Sequence, residues 1–319
     1  MKKKIALLLT VCLLLMAGCT AAGEKQREKL TVVATLFPQY DFCRALAGDK
    51  AEVILLLPPG MESHSYEPSM ADMRTIYEAD LFLFTGPDME PWAVKMADSL
   101  PDNVTVTDVS DGIEKIEHDH GDHEHEHEHE HEHEHEHGHK EEEMDPHVWT
   151  DPLNACVMTE NILSSLCALD PANEAFYRQN AEAYLGELHA LDETFRQIVS
   201  QGETDWLCHG GRFSMAYFAK RYGLTVTAAF DSCSSQAEPS AARVMAMIEE
   251  VKKQKNKVVF CEELNEPRIA RVIAEESGAQ VLLLHTCHNV SKEELNGGAT
   301  YLSLMRRNAE NLKTALGVK

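Results

Sequence analysis

Residues 171–201 read PANEAFYRQNAEAYLGELHALDETFRQIVSQ, followed by Gly202. Phe176, Tyr177, Tyr184, Leu188, Leu191, Phe195 and Ile198 recur at three-, four- and seven-residue steps. That spacing draws one apolar stripe along a single helix of roughly 28 residues, about 42 Å long at 1.5 Å per residue. A helix of this length is unusual inside one globular domain. A rod joining two lobes accounts for it.

Both flanks of the rod alternate between strand and helix signals. Before it, β-branched and apolar runs at 31–36, 51–57, 79–85 and 104–109 read as strands, with helices after Pro38 and over 70–78 and 90–100. Pro58-Pro59-Gly60 stops the second strand. After the rod, strands are expected at 206–208, 224–230, 257–261 and 280–285, and helices over 213–222, 239–253, 267–277 and 301–316. Gly223 and Gly278 stand where two of these helices should close. The rhythm predicts an α/β protein of two Rossmann-like lobes with parallel sheets, joined by one long helix. The expected divisions are an N-terminal lobe over 30–168, a linking helix over 169–202 and a C-terminal lobe over 203–319. A mature chain of about 300 residues has room for two cores.

The N-terminus carries Lys2, Lys3 and Lys4, then an apolar run from Ile5 to Met16 broken by Thr10, which is short for a membrane span. It leads into Leu15-Met16-Ala17-Gly18-Cys19, which resembles a bacterial lipobox. Residues 1–18 are therefore expected to be a signal peptide, Cys19 to be acylated and 19–29 to be a tether. The formal charge of -24 argues against nucleic acid as a partner. Removing Cys12 and Cys19 leaves Cys43, Cys156, Cys167, Cys208, Cys233, Cys261 and Cys287. That odd set, without tight spacing, does not read as a disulfide framework. A monomer on the outer side of the membrane is expected.

Eleven of the 17 histidines fall in one run: His118, His120, His123, His125, His127, His129, His131, His133, His135, His137 and His139. Acidic residues separate most of them. Imidazole suits zinc, copper and nickel, so this tract should collect transition metal. Residues 117–143 contain no apolar side chain, and disorder is expected there. The run formally contains HExxH, but the match repeats every two residues and is an accident of composition. His189 lies in the rod without another ligand nearby. The remaining five are ordered differently: His64 follows the strand ending at Leu57, His147 follows the tract just before a helix beginning near Pro152, His209 follows a strand of the second lobe, and His285 and His288 flank the end of another. Ligands of open α/β sheets bind beyond the carboxyl ends of the strands. Facing lobes would bring His64, His147, His209 and one of the last two around a tetrahedral cation. Glu62, Glu67, Asp145 and Asp151 lie beside the imidazoles and can orient them.

Several segments resemble a known family. They are Phe37-Pro38 with Asp41-Phe42; Leu57-Pro58-Pro59-Gly60 running into His64 and Tyr66-Glu67-Pro68; Asp145-Pro146-His147-Val148-Trp149 with Asp151-Pro152; His209 before Phe213 and Tyr217–Leu224; and Thr300-Tyr301-Leu302 with Met305 and Asn308. The chain is similar over its mature length to the zinc/manganese-type (cluster A-I) solute-binding lipoproteins of ABC transporters, most of all the zinc-binding members. The resemblance implies two lobes on a rigid helical backbone, metal ligation by His64, His147 and His209, and delivery to an ABC permease. A His-rich loop before the second ligand is typical of the zinc members. Manganese members carry a carboxylate at the third position, where this chain has His209, so Zn2+ is expected over Mn2+. The fourth position is commonly an aspartate or water. Here the segment reads Leu284-His285-Thr286-Cys287-His288-Asn289, with His288 favoured and His285, Cys287 or Glu262 open. Two rival readings remain. One is a zinc-dependent hydrolase using the same histidines with Glu62, Glu67 or Asp145 as base; the other is a manganese-binding or adhesin-type relative.

Overall fold

The computed structural model describes residues 29–64, 66–117, 144–230 and 238–319. The lipobox with Cys19, the histidine tract 118–139 and Cys233 lie outside the described residues. Strands β1 (Leu30–Ala34), β2 (Ala51–Leu55), β3 (Leu81–Phe84) and β4 (Thr105–Asp108) form one sheet in the order β2-β1-β3-β4. Strands β5 (Trp206–His209), β6 (Thr225–Ala228), β7 (Val258–Cys261) and β8 (Gln280–Leu283) form a second, in the order β6-β5-β7-β8. Every pairing is parallel; Val32 stands opposite Val53 and Leu81, and His209 opposite Ala228 and Phe260. The central strands LFLF and VVFC are buried throughout, as expected where helices cover both faces.

In each sheet the chain leaves its first strand to one side and later returns on the other. A crevice opens at that reversal, beyond β1 and β3 in one lobe and β5 and β7 in the other. In the N-terminal lobe, Glu90 fills it: the side chain accepts from Thr35 Oγ1 at 2.8 Å and from the Thr85 amide at 2.7 Å. In the C-terminal lobe, His209, Glu262 and Glu263 emerge there.

Burial raises the Glu90 carboxyl to about 7, against the lowering effect of its two donors. The folded chain therefore keeps this proton to higher pH than the unfolded chain does. Glu90's contribution is complete below about pH 4.5 and is lost as pH rises towards 7, a change on the order of 3 kcal/mol. Glu90→Gln keeps an acceptor for both donors and cannot ionise. Urea unfolding should show this variant gaining stability over the parent as pH rises from 4.5 to 7.5; a pH-independent difference would contradict the assignment.

The rod is one helix, Glu174–Gln201, of 28 residues, preceded by a 3-10 turn at Pro171–Asn173. Its buried positions include Tyr177, Tyr184, Leu188, Leu191, Phe195 and Ile198, the stripe read from the sequence. Near its start Asn180 donates to the carbonyl of Leu46, on the helix Phe37–Ala47. Near its end Phe195 packs edge-on against Phe218, and Asp192 accepts from Arg221 and Tyr222, all on the C-terminal side. The helix Pro152–Leu169 packs alongside the rod.

The expectation of two separate cores is corrected. One cluster runs from Val32 and Phe42 through Tyr184 and Phe195 to Phe260 and Leu312. Among the described residues, two smaller clusters belong to single lobes, around Phe82 and around Val259. The rod's apolar stripe touches both lobes along its length, so the lobes cannot bury it separately. Buried polar contacts add to this seam. Asp41 accepts from the Tyr301 amide at 2.8 Å and from Tyr184 Oη at 3.4 Å. Tyr301 Oη donates to the Trp149 carbonyl at 2.7 Å, and Trp149 Nε1 donates to the Thr286 carbonyl at 2.8 Å.

Local differences have local causes. The helix expected over 90–100 is two short helices, Gly86–Met89 and Pro91–Ala97, because Glu90 turns inward and Pro91 opens a new first turn. A short helix at Lys292–Asn296, closed by a reciprocal Ser291–Glu294 cap, was not foreseen. Among the described residues, Cys43, Cys156, Cys167, Cys208, Cys261 and Cys287 are free thiols. No helix among them is long and apolar enough to cross a membrane.

Candidate metal centre

His147 ends the segment Asp145-Pro146-His147 and opens the turn Val148–Thr150. Asp145 Oδ1 lies 2.8 Å from the His147 amide and 3.0 Å from its Nδ1. A carboxylate only accepts, so Nδ1 carries a proton and Nε2 keeps its lone pair. That nitrogen lies 3.2 Å from Nε2 of His64. Two nitrogens bound to one zinc at about 2.0–2.1 Å in a tetrahedron stand about 3.3 Å apart. The two rings, centroids 5.2 Å apart, are thus spaced as adjacent ligands of one small cation. Trp149 flanks His147 with its ring 5.5 Å away, and the imidazole is only 1% exposed.

His64 sits at the rim with its outer edge in solvent and its ring turned inward. Desolvation, then the neighbouring His147, lower its imidazolium to about 4. The ring is therefore neutral at physiological pH, as a ligand must be.

From the other lobe, β5 delivers His209, whose Nε2 lies 4.0 Å from Glu262 Oε2. Burial lowers its imidazolium. Its Nδ1 accepts from the Gly211 amide at a long 3.3 Å, so ligation through Nε2 requires moving that proton and giving up this contact. Gly210-Gly211 lets the neighbouring elements close in: a Cβ at 210 would stand 2.4 Å from Ala270 Cα, and one at 211 would stand 1.7 Å from Glu262 Oε2.

His288 is fixed by its backbone, whose carbonyl accepts from the Phe37 amide at 3.3 Å across the lobes. Its charge adds to the lowering of the His64 imidazolium. Burial pushes the His288 imidazolium down, but Glu263, with Glu62 and Glu262 farther away, outweighs burial and raises it.

His285 and Cys287 are buried in the C-terminal lobe, where His285 Nδ1 lies 3.5 Å from Glu263 Oε1. His285 is fully buried; Asn308 bonds its amide and its carbonyl at 2.8 Å each, and its Nε2 faces Glu294 at 3.7 Å. Cys287 is fully buried with a left-handed backbone, φ 63°, and its thiol faces the His285 carbonyl. Glu67 is exposed on the loop after His64, and His189 is exposed on the rod.

The structure thus pairs His64 with His147, sets His209 beside Glu262 and sets His288 beside Glu263. Among the described residues no three His, Cys, Asp or Glu side chains converge on one point as placed. Sequence reasoning missed Glu263 and Thr286, which hold the His288 ring. The available signal for Glu263 was its position just past β7, at the sheet's reversal point.

The stems on either side of the histidine tract lie next to the Asp145–His147 segment. Glu117 and Met144, on either side of the tract, pair as an isolated antiparallel bridge. Tyr217 Oη donates to the Asp145 carbonyl and accepts from the Ile116 amide, pinning both stems to the C-terminal lobe.

The family profile described as "ZnuA: Zinc-uptake complex component A periplasmic" matches residues 32–315. The high-affinity zinc uptake system protein ZnuA of Bacillus subtilis is 34% identical over 318 residues, covering 98% of this chain and 97% of that one. The zinc-binding lipoprotein AdcA of Streptococcus pneumoniae is 34% identical over 323 residues, covering 98% of this chain. This chain spans 60% of the AdcA length. The Zn(II)-bound ZnuA-like domain of S. pneumoniae AdcA superimposes with a TM-score of 0.73 at 31% identity, covering 90% of this chain and 99% of that domain. With two parallel lobes on one rod and a histidine pair at their meeting edge, the chain belongs to the ZnuA family of zinc-uptake component A proteins.

Proposed function

We propose that this chain captures Zn2+ outside the membrane and delivers it to an ABC permease, with His64, His147, His209 and His288 as ligands. The observation that carries the reading is the His64–His147 pair, 3.2 Å apart, with Asp145 fixing the His147 proton on the far nitrogen. Closing a four-nitrogen shell takes rotation of the His209 and His288 rings towards that pair. Nitrogen donors in this number favour zinc over manganese. The names of the relatives, zinc uptake protein and zinc-binding lipoprotein, support the cargo. Acylation at Cys19 would hold the chain at the outer face of the membrane, within reach of the permease.

The protein acts by binding rather than by catalysis. Of the bases a hydrolase would use, Asp145 is committed to the His147 ring and Glu67 is exposed. Zinc-loaded protein is expected to show no turnover of esters, peptides or lactams.

The shared core and the buried seam hold the lobes as one body, so occupancy is signalled by loops at the cleft rather than by wide hinge opening. The tract supplies many weak sites from which zinc passes to the cleft. Deleting residues 118–139 is expected to leave one tight site with unchanged affinity and to remove the weaker equivalents, as read by metal titration with a competing chelator. Loss of the tight site in that deletion would refute the division of labour.

A further inference from the structure

His285 and His288 lie three residues apart, yet their hydrogen bonds impose opposite proton arrangements. The Thr286 hydroxyl has a single proton. Glu263 Oε1, which can only accept, lies 2.6 Å from Thr286 Oγ1 and takes that proton. Thr286 Oγ1 can then only accept from His288 Nδ1, which lies 2.5 Å away. Glu263 Oε1 lies 3.3 Å from the same nitrogen. His288 Nδ1 therefore bears a proton, and Nε2 is the nitrogen that offers a lone pair. The second oxygen of Glu263 accepts from the Thr286 amide at 2.9 Å, so the carboxylate cannot rotate without losing a bond. In His285 the arrangement is reversed: Glu263 Oε1 stands 3.5 Å from its Nδ1, but the Cys287 amide donates to that nitrogen at the closer 2.9 Å and spends its lone pair.

We infer that Glu263, acting through Thr286, is the positioning residue that sets His288 as the cation ligand of the C-terminal lobe, while the Cys287 amide withholds His285. The inference rests on the four-histidine reading above. Glu263 and Thr286 do for His288 what Asp145 does for His147. Each lobe thus offers one carboxylate-backed imidazole, His147 and His288. Such outer partners fix the ring and raise its basicity, and their loss typically costs about ten- to a hundredfold in metal affinity.

Glu263→Gln separates this role from simple packing. An amide presents one acceptor and one donor to two protons, those of the Thr286 amide and hydroxyl. If its oxygen takes the Thr286 amide, its NH2 faces Oγ1. The hydroxyl then turns to His288 and drives the imidazole proton to Nε2.

Three full-length variants test the inference, by chelator competition below one equivalent of Zn2+, so that only the tightest site is read. His288→Ala is expected to weaken binding about a hundredfold. Glu263→Gln and Thr286→Val are each expected to weaken it about ten- to a hundredfold. Imidazole nitrogen spectra of the metal-free chain above pH 8, with His288 assigned from its loss in His288→Ala, should show Nδ1 protonated in the parent. In Glu263→Gln the proton should move to Nε2. Unchanged binding in His288→Ala would overturn the ligand set itself. A hundredfold loss there, with Glu263→Gln and Thr286→Val within about twofold of the parent, would leave the ligands standing and overturn the positioning role. Weakened binding in Glu263→Gln with the His288 proton still on Nδ1 would also overturn it, because it would show a packing effect alone.

Discussion

His147→Ala is expected to weaken Zn2+ binding at the tight site by about a hundredfold to a thousandfold and to destabilise the metal-free chain as well. The affinity loss follows from removing one of four ligands. Structural zinc sites are worth about 10–16 kcal/mol in total, so one ligand carries on the order of 3 kcal/mol. The stability loss follows from where the ring sits. His147 is 1% exposed, packed against Trp149, and bonded to a carboxylate that is itself 2% exposed. Truncation leaves a void and strips the buried Asp145 of its imidazole, at a cost of about 1–3 kcal/mol. His64→Ala provides the contrast. His64 lies at the rim, so its loss should lower affinity similarly while leaving the unfolding midpoint of the metal-free chain nearly unchanged. Competition titration and denaturant unfolding of the two variants check both halves. Equal destabilisation by both substitutions would contradict the assignment of His147 as a doubly employed residue.

Asp41→Ala should give the larger effect on folding, about 2–4 kcal/mol. Asp41 lies on the N-terminal lobe, 5% exposed, and accepts from the first amide of the helix Tyr301–Leu316 of the other lobe. Tyr184 of the rod bonds the same oxygen. Alanine leaves both donors buried without an acceptor and severs a link among three elements. Burial raises the Asp41 carboxyl to about 6, although the Tyr301 amide, Arg44 and Tyr184 pull it down. Asp41→Asn retains an acceptor for the amide and avoids burying a charge, so it should recover most of the loss near neutral pH. Urea unfolding of the two variants at pH 7.5 decides the matter, and an Asn variant as unstable as the Ala variant would show that the carboxylate charge itself is required.

Much of the architecture was legible because it rests on periodicity. The rod's apolar steps and the glycine stops after 222 and 277 depend only on local chain geometry, and both appear where the pattern placed them. The break at Glu90-Pro91 was less visible, because a carboxylate buried by Thr35 and Thr85 looks in sequence like any surface acid. The shared core could not be read from either lobe alone, since it depends on which helices the rod covers. At the candidate site, the positions of His64 and His209 after strands and of His147 between the tract and a helix were readable. The difference between His285 and His288 was not. It arises from a glutamate more than twenty positions upstream, from which way one threonine hydroxyl points, and from the Cys287 amide donating to His285.

The Glu117–Met144 bridge has a consequence for how this lineage can change. A segment that departs and returns at one paired rung can gain or lose residues without displacing either stem, and for a flexible loop each doubling of length costs only about 0.6 kcal/mol. The number of histidines between the stems can therefore change with the copy number of a simple dipeptide, while the setting of His147, three residues past the rung, stays as it is.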